Sequence, residues 1–331
     1  MYDKILYALV CLFVATGCKG QGDNRFASAP PVHIHRFDQA LYQVVESDDS
    51  LLYGRLLEEY RDMLEVTGKG ILNMRSPELP DFSARLVNYY SEPTLNGLYR
   101  DALALYDSVA DIEQQLGSAF AYLKATLPSV TVPEIYMHVS GLNQNVLVAG
   151  NLLSISIDKY MGKEYPLYKE FFYDYQREKM QRSRIAPDYL AGWIMSEYPF
   201  SGKENVLLER MVYEGKINYL VAQAFPDLTP SCLMGYTVEE YEWCKEYERS
   251  LWKTIIGEKH VYTPDYLTTN NYFEDAPGFP ASGAPGHIGT WIGWRIVDRY
   301  MKETKETPEN LMRNHDAQQI LTESKYNGSS R

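Results

Sequence analysis

The chain has 331 residues, 45% of them hydrophobic, enough to bury a sizeable core as one large domain or two ordinary ones. Its formal net charge is -12, an acidic balance that argues against nucleic acid as a partner and against docking on anionic lipid through a basic patch. The 28 tyrosines point to a core of large amphipathic rings and to a surface suited to aromatic contacts, without naming a ligand.

Residues 1–17 read as a lipoprotein signal. Lys4 gives a thin positive start, and Ile5 to Val14 is an apolar run too short to span a bilayer. Ala15-Thr16-Gly17-Cys18 forms the cleavage box, with the Cys18 thiol as acyl (palmitate) acceptor. Residues 18–31, rich in Gly, Ser, Ala, Asn and Pro, are expected to be a flexible tether, 32–302 a single globular domain, and 303–331 a polar, partly frayed tail. Lys19, directly after the lipid cysteine, favours the outer membrane and leaves open which face the domain occupies. Cys11 leaves with the signal. Cys232 and Cys244 either pair in an oxidising envelope or stay free, Cys244 lying on an apolar helical pattern that suits a buried thiol.

The domain opens with VHIHRFD, a short alternating strand. His33 and His35 sit two apart on it, and no acid or histidine cluster completes a metal site, so they are read as polar side chains on a half-exposed strand. Phe37, Leu41, Tyr42 and Val45 then take helical spacing. From Asp49 to Leu127 the pattern stays helical, with a glycine stop after LLYGRLLEEYRDMLEVTGKG and further helices over Pro93 to Leu105 and Ile112 to Leu127. Residues 131–139, 146–148 and 152–157 switch to strand composition, with turns at Gly141 and Gly150 and Asn143 to Asn145 at one tip. Asp158 ends the last strand, where it either orients a ligand or caps the next turn.

Tyr165 to Met180 reads as a helix, and another follows with Pro187 in its first turn and Pro199 beyond its end. Asn205 to Phe225 is apolar on nearly every face and belongs in the core. It carries Glu214, an acid expected to be dry, beside Gly215, which costs a helix interior about 1 kcal/mol. Such a carboxyl must be paired, hydrogen-bonded, protonated or bound to a metal. Thr237 and Glu240 form a capping box for a helix through Trp252, with Tyr241, Cys244, Leu251 and Trp252 on its apolar side. After a Pro/Gly-rich stretch the last long helix starts near Ile288. Gly289 and Gly293 give it a flat groove for close packing, and His287 stands where its N-terminus would receive an anion if that end is not simply packed.

A buried helical glutamate is how thermolysin-like metallopeptidases supply a third zinc ligand, after an HExxH helix that supplies two histidines and a general base. The preceding helix here, APDYLAGWIMSEYPF, has no histidine. Six histidines exist (33, 35, 138, 260, 287 and 315), no two of them one helical turn apart, and GxSxG, P-loop and GxGxxG motifs are also missing. No metal and no cofactor are expected. The fold expected is α+β, mainly helical with one small sheet.

SISIDKYMG, VYEGKINYL, TVEEYEWCKEYERSLW and APGHIGTWIGWRIVDRYM, in this order after a lipobox, resemble the GldB family of gliding-motility lipoproteins from Bacteroidota, over most of the mature chain. The resemblance implies a metallopeptidase (gluzincin)-like fold without HExxH, in which Glu214-Gly215 is the relic of a second peptidase signature. It also implies an envelope lipoprotein connected with gliding motility or the associated protein secretion. Three functional readings follow, in order of preference. The first is a non-catalytic scaffold anchored through lipid on Cys18, with other envelope proteins as partners and Glu214 as a structural acid that has Lys216 as a possible partner. The second is a noncanonical hydrolase or peptidase with Glu214, Asp158 and His287 as catalytic candidates. The third is a solute-binding lipoprotein.

Overall fold

The computed structural model describes residues 25–47, 49–74 and 76–329; the expected signal, Cys18 and the start of the tether lie outside the described residues. Short aliphatic runs form one mixed sheet of β1 (Ile34–His35), β2 (Glu134–His138), β3 (Val146–Ala149) and β4 (Leu152–Ser156), in the order β1-β2-β4-β3. β1, β2 and β4 are parallel and β3 is antiparallel to β4, so Ile135 lies opposite Leu153 and Met137 opposite Ile155. Every residue of β4 is buried, as suits a strand covered on both faces. Gly150, at φ 58°, makes the tight β3–β4 turn read from the sequence.

Around the sheet lie α1 (Phe37–Ser47), α2 (Ser50–Glu59), α3 (Arg61–Thr67), α4 (Phe82–Tyr90), α5 (Pro93–Leu105) and α6 (Ala110–Thr126). Asp49 caps α2 by accepting from the Leu51 amide, and Glu92 caps α5 by accepting from Leu95, with Pro93 in the first turn. The expected glycine stop is instead a wider turn. After α3 the chain continues as a π-helix over Gly68–Leu72 and ends at left-handed Asn73, and the Phe82 ring occupies the space a Cβ on Gly68 would need. The helix expected over Tyr165 to Met180 is also corrected: it is two single turns, α7 (Tyr168–Phe171) and α8 (Asp174–Arg177), separated by extended Phe172. The Tyr168 hydroxyl ties α7 to the Asp158 carbonyl and to the Met161 amide, and those tertiary bonds outweigh continuation of a weakly helical aromatic run.

α9 (Ile185–Glu197) packs on β3 and β4, and α10 (Leu207–Ala224) follows it. The second half of α10 (Ile217, Leu220, Val221 and Ala224) belongs to the core that contains the sheet. Its first half (Leu207, Leu208, Met211 and Val212) belongs to a second core. That second core is shared with α12 (Val238–Gly257), α14 (Ile288–Thr304) and α16 (Ala317–Ser324), while α11 (Pro230–Met234), α13 (Tyr266–Asn271) and α15 (Pro308–Arg313) complete the helices. The Thr237–Glu240 capping box opens α12. Cys232 and Cys244 are free thiols, and Cys244 is fully buried in the second core.

Both ends of the chain are more packed than their polarity suggests. Residues 303–331 were expected to fray, yet Leu311, Ile320, Leu321 and Tyr326 are buried, and α16 packs on α14. A stripe of apolar residues at helical spacing, diluted by Gln, Glu and Asn, holds this segment down. At the other end Gln114 donates to the Ala29 carbonyl at 2.8 Å, and the Phe26 ring meets Tyr122 edge-on, so the last residues of the expected tether lie on α6. Among the described residues no helix is long and apolar enough to cross a membrane.

The closest contact between helices is that of α10 with α14. A Cβ on Gly215 would stand 2.2 Å from the Gly293 carbonyl oxygen, and one on Gly293 would stand 1.8 Å from the Met211 carbonyl oxygen. The two backbones therefore touch, which accounts for a glycine inside α10 despite its poor helix propensity. Gly293→Ala should destabilise the protein by about 3 kcal/mol in urea unfolding, because the atoms it would strike are the Met211 backbone and not a movable side chain. Gly54→Ala, in α2 with open space at its Cβ, should instead stabilise by up to about 1 kcal/mol.

Candidate functional site

Asp158 follows β4 and is fully buried. Its carboxyl accepts from the amides of Ser140 at 3.0 Å and Leu142 at 2.6 Å, and from the Ser156 hydroxyl. Burial pushes its pKa above the usual carboxylate range, while the Ser156 hydroxyl and the two amides pull it back. Tyrosine hydroxyls hold the adjoining backbone: Tyr90 donates to Val139 at 2.7 Å, Tyr89 to Ser140 at 3.2 Å, and Tyr106 to the Tyr160 carbonyl. The Ser140 hydroxyl accepts from the amides of Asn143 and Gln144, closing the loop whose tip was read from the sequence. Held this way, Leu142 takes φ 65°, a left-handed conformation that is costly for a non-glycine residue.

These bonds shape the wall of an apolar cavity of about 380 Å³ at the carboxyl end of the parallel strands. Leu95, Leu98, Leu142, Leu167, Phe171 and Phe172 line it, and Phe171 is 62% exposed at its lip. Asp158 thus does not cap the turn that follows it, as one reading of the sequence had it; it holds the loop after β2 and supports the cavity wall from behind. Among the described residues no hydrogen bond or ion pair joins it to Glu214 or His287.

Glu214 and His287 lie near one another where α10 passes the start of α14, with no hydrogen bond or ion pair between them among the described residues. Thr290 donates to the Glu214 carboxyl at 3.3 Å. Burial raises the pKa of that carboxyl, and the nearby His287 and Arg210 only partly offset it. His287, at φ 54°, bonds through Nε2 to Asp275 Oδ1 at 2.7 Å, and Lys179 donates to the same oxygen at 2.7 Å. The His287 bond and Lys179 together hold the Asp275 carboxyl far below its usual range. The acid beside His287 is therefore the chain's own Asp275, and two amides at this end are taken within the chain: His287 N–H donates to the Glu274 carbonyl and Gly289 N–H to that of Tyr272, the packed alternative of the two read from the sequence. Lys216 is not the partner of Glu214; its ammonium turns to the Asn314 carbonyl.

Over residues 21–328 the chain matches the family model described as gliding motility protein GldB. The chain belongs to the GldB family. The match takes in both cores and begins just after the expected lipobox, in keeping with a gliding-motility lipoprotein. No curated protein and no solved structure matches the chain closely enough to count.

Other groups in this GldB-family chain serve the fold. His35 bonds Glu134 at 3.1 Å and stacks on Tyr136, and His33 is largely exposed near Glu113, as the half-exposed strand reading expects. Among the described residues no three His, Cys, Asp or Glu side chains are grouped to hold a metal ion. Sequence reasoning missed Lys179 and Asp275, which lie 96 residues apart, as well as the Ser140 and Ser156 hydroxyls that complete the Asp158 network. Serines on both sides of a Gly-turn loop, together with an acid at a strand end, were the available signal for the second.

Asp158→Ala should cost about 3 kcal/mol or more in urea unfolding, since it leaves the Leu142 amide and the Ser156 hydroxyl without their acceptor. Glu214 should show a signed pH effect. Its folded carboxyl keeps a proton at a higher pH than the unfolded one, so stability falls as pH rises from about 4.5 through the raised folded value. Glu214→Gln keeps an acceptor for Thr290 and removes the half-buried charge, so it should flatten that fall and unfold at equal or higher urea at pH 7.

Proposed function

We propose that this GldB-family chain is a non-catalytic component of the envelope machinery for gliding motility or its associated protein secretion, anchored by lipid on Cys18 and acting by binding other envelope proteins. The observation that carries this reading is the aromatic-lipped cavity beside Phe171, whose wall is built by Asp158. A fully buried acid whose carboxyl accepts from two backbone amides and a hydroxyl lies behind the cavity wall and not in it, and it makes a rigid, preformed apolar surface of the kind that anchors a partner's side chain. The Glu214-Gly215 pair also supports it. Gly215 serves the α10–α14 contact and Glu214 bonds Thr290, uses compatible with a peptidase signature that has lost its metal-binding half.

A hydrolase is the second reading, favoured by the proximity of Glu214, with its raised pKa, to His287. Cells carrying a photocrosslinking residue in place of Thr94, exposed on the wall of the same cavity, should yield an adduct with another envelope protein. Phe171→Glu should abolish that adduct and impair gliding or secretion at an unchanged protein level, because Phe171 is exposed and its loss costs the fold little. Glu214→Gln and His287→Gln should leave both functions intact. Loss of function in these two variants at normal abundance would favour the hydrolase.

A further inference from the structure

A second cavity, of about 450 Å³, lies between the α9–α10 loop, α10 and the α15–α16 turn. Its walls include Tyr198, Phe200, Val212, Tyr213 and Met312, and Lys216 is set among them. Lys216 is only 6% exposed. An ammonium carries three donors, and among the described residues this one has a single acceptor, the Asn314 carbonyl. Among the described residues no acid forms an ion pair with it, and burial alone pushes its pKa down to about 8, so it is still mostly charged at neutral pH. The acids on the cavity wall are Glu197 and Glu209, and Glu209 is committed to the Lys203 amide at 2.6 Å. A buried charge without a counter-charge is unfavourable unless something supplies one.

We propose that this cavity binds an organic monocarboxylate with an apolar body, its carboxylate pairing with the Lys216 ammonium and its body resting on Phe200, Val212 and Met312. The carboxylate provides the missing counter-charge and accepts the donors that Asn314 leaves over. The ring and aliphatic walls provide for an apolar body. Glu197 and Glu209 repel polyanions, which selects a single carboxylate over a phosphate group. Free organic acids and the C-terminus of a polypeptide share this chemistry.

The test is calorimetric titration of the full chain in nonionic detergent with phenylacetate, N-acetylphenylalanine and the uncharged N-acetylphenylalaninamide. Both acids should bind, and the amide should bind at least about tenfold more weakly than its acid. Lys216→Met, with near-UV circular dichroism unchanged, should weaken both acids by about tenfold or more. A preference for N-acetylphenylalanine over phenylacetate would support a polypeptide C-terminus as the source, and the reverse order a free acid. Equal affinity for acid and amide, no binding of either acid, or undiminished affinity in Lys216→Met would overturn the proposal. Should Lys216→Met fail to fold, the acid-against-amide comparison in the parent chain decides.

Discussion

Gly215 and Gly293 let the backbones of α10 and α14 touch, and much of the remaining structure depends on that contact. Because α10 gives its first half to the helical core and its second half to the core around the sheet, whatever fixes α14 against α10 also fixes one core against the other. The same contact sets the environment of Glu214, since it brings Thr290 and His287 of the α14 end beside the carboxyl. It also seats the C-terminal segment, as α16 packs on α14. An acid in the middle of an apolar helix is thus accounted for by what crosses it.

The sequence made local features legible where local chemistry decides them. The Thr237–Glu240 capping box, the turns at Gly141 and Gly150, the three later strands and the buried role of the Glu214 helix all follow from short-range patterns. Close packing was also legible at Gly289 and Gly293, though not the partners: Gly293 meets the Met211 backbone, whereas Gly289 faces the Phe273 ring. Less legible were outcomes set at long range. The break at Phe172 depends on Tyr168 reaching Asp158, and the Lys179–Asp275–His287 cluster joins three distant segments. The C-terminal tail was misread because five apolar residues at helical spacing are easily lost among polar ones, although burying them suffices to dock two short helices.

Of the three candidate catalytic residues, two share a location and the third builds a different one. Glu214 of α10 lies near His287 at the start of α14, where Asp275 takes the His287 ring and the Glu274 and Tyr272 carbonyls take the His287 and Gly289 amides. Asp158 instead secures a strained loop over an apolar cavity. In both places the ionisable groups are engaged within the chain, Asp158 with backbone amides and Glu214 and His287 with the Thr290 and Asp275 side chains, and the binding role proposed above rests on this. Tyr90 and Tyr106 contribute in the same sense, since their hydroxyls donate to the carbonyls of Val139 and Tyr160 in irregular backbone.

The central claim, that α10 couples the two cores through its contact with α14, is tested most directly by native-state hydrogen exchange. Amides of β2, β4, α10 and α14 should open with one common free energy, the global one, because separating either core breaks α10. Exchange of α14 and α16 at a distinctly lower free energy, with α10 and the sheet still protected, would contradict it.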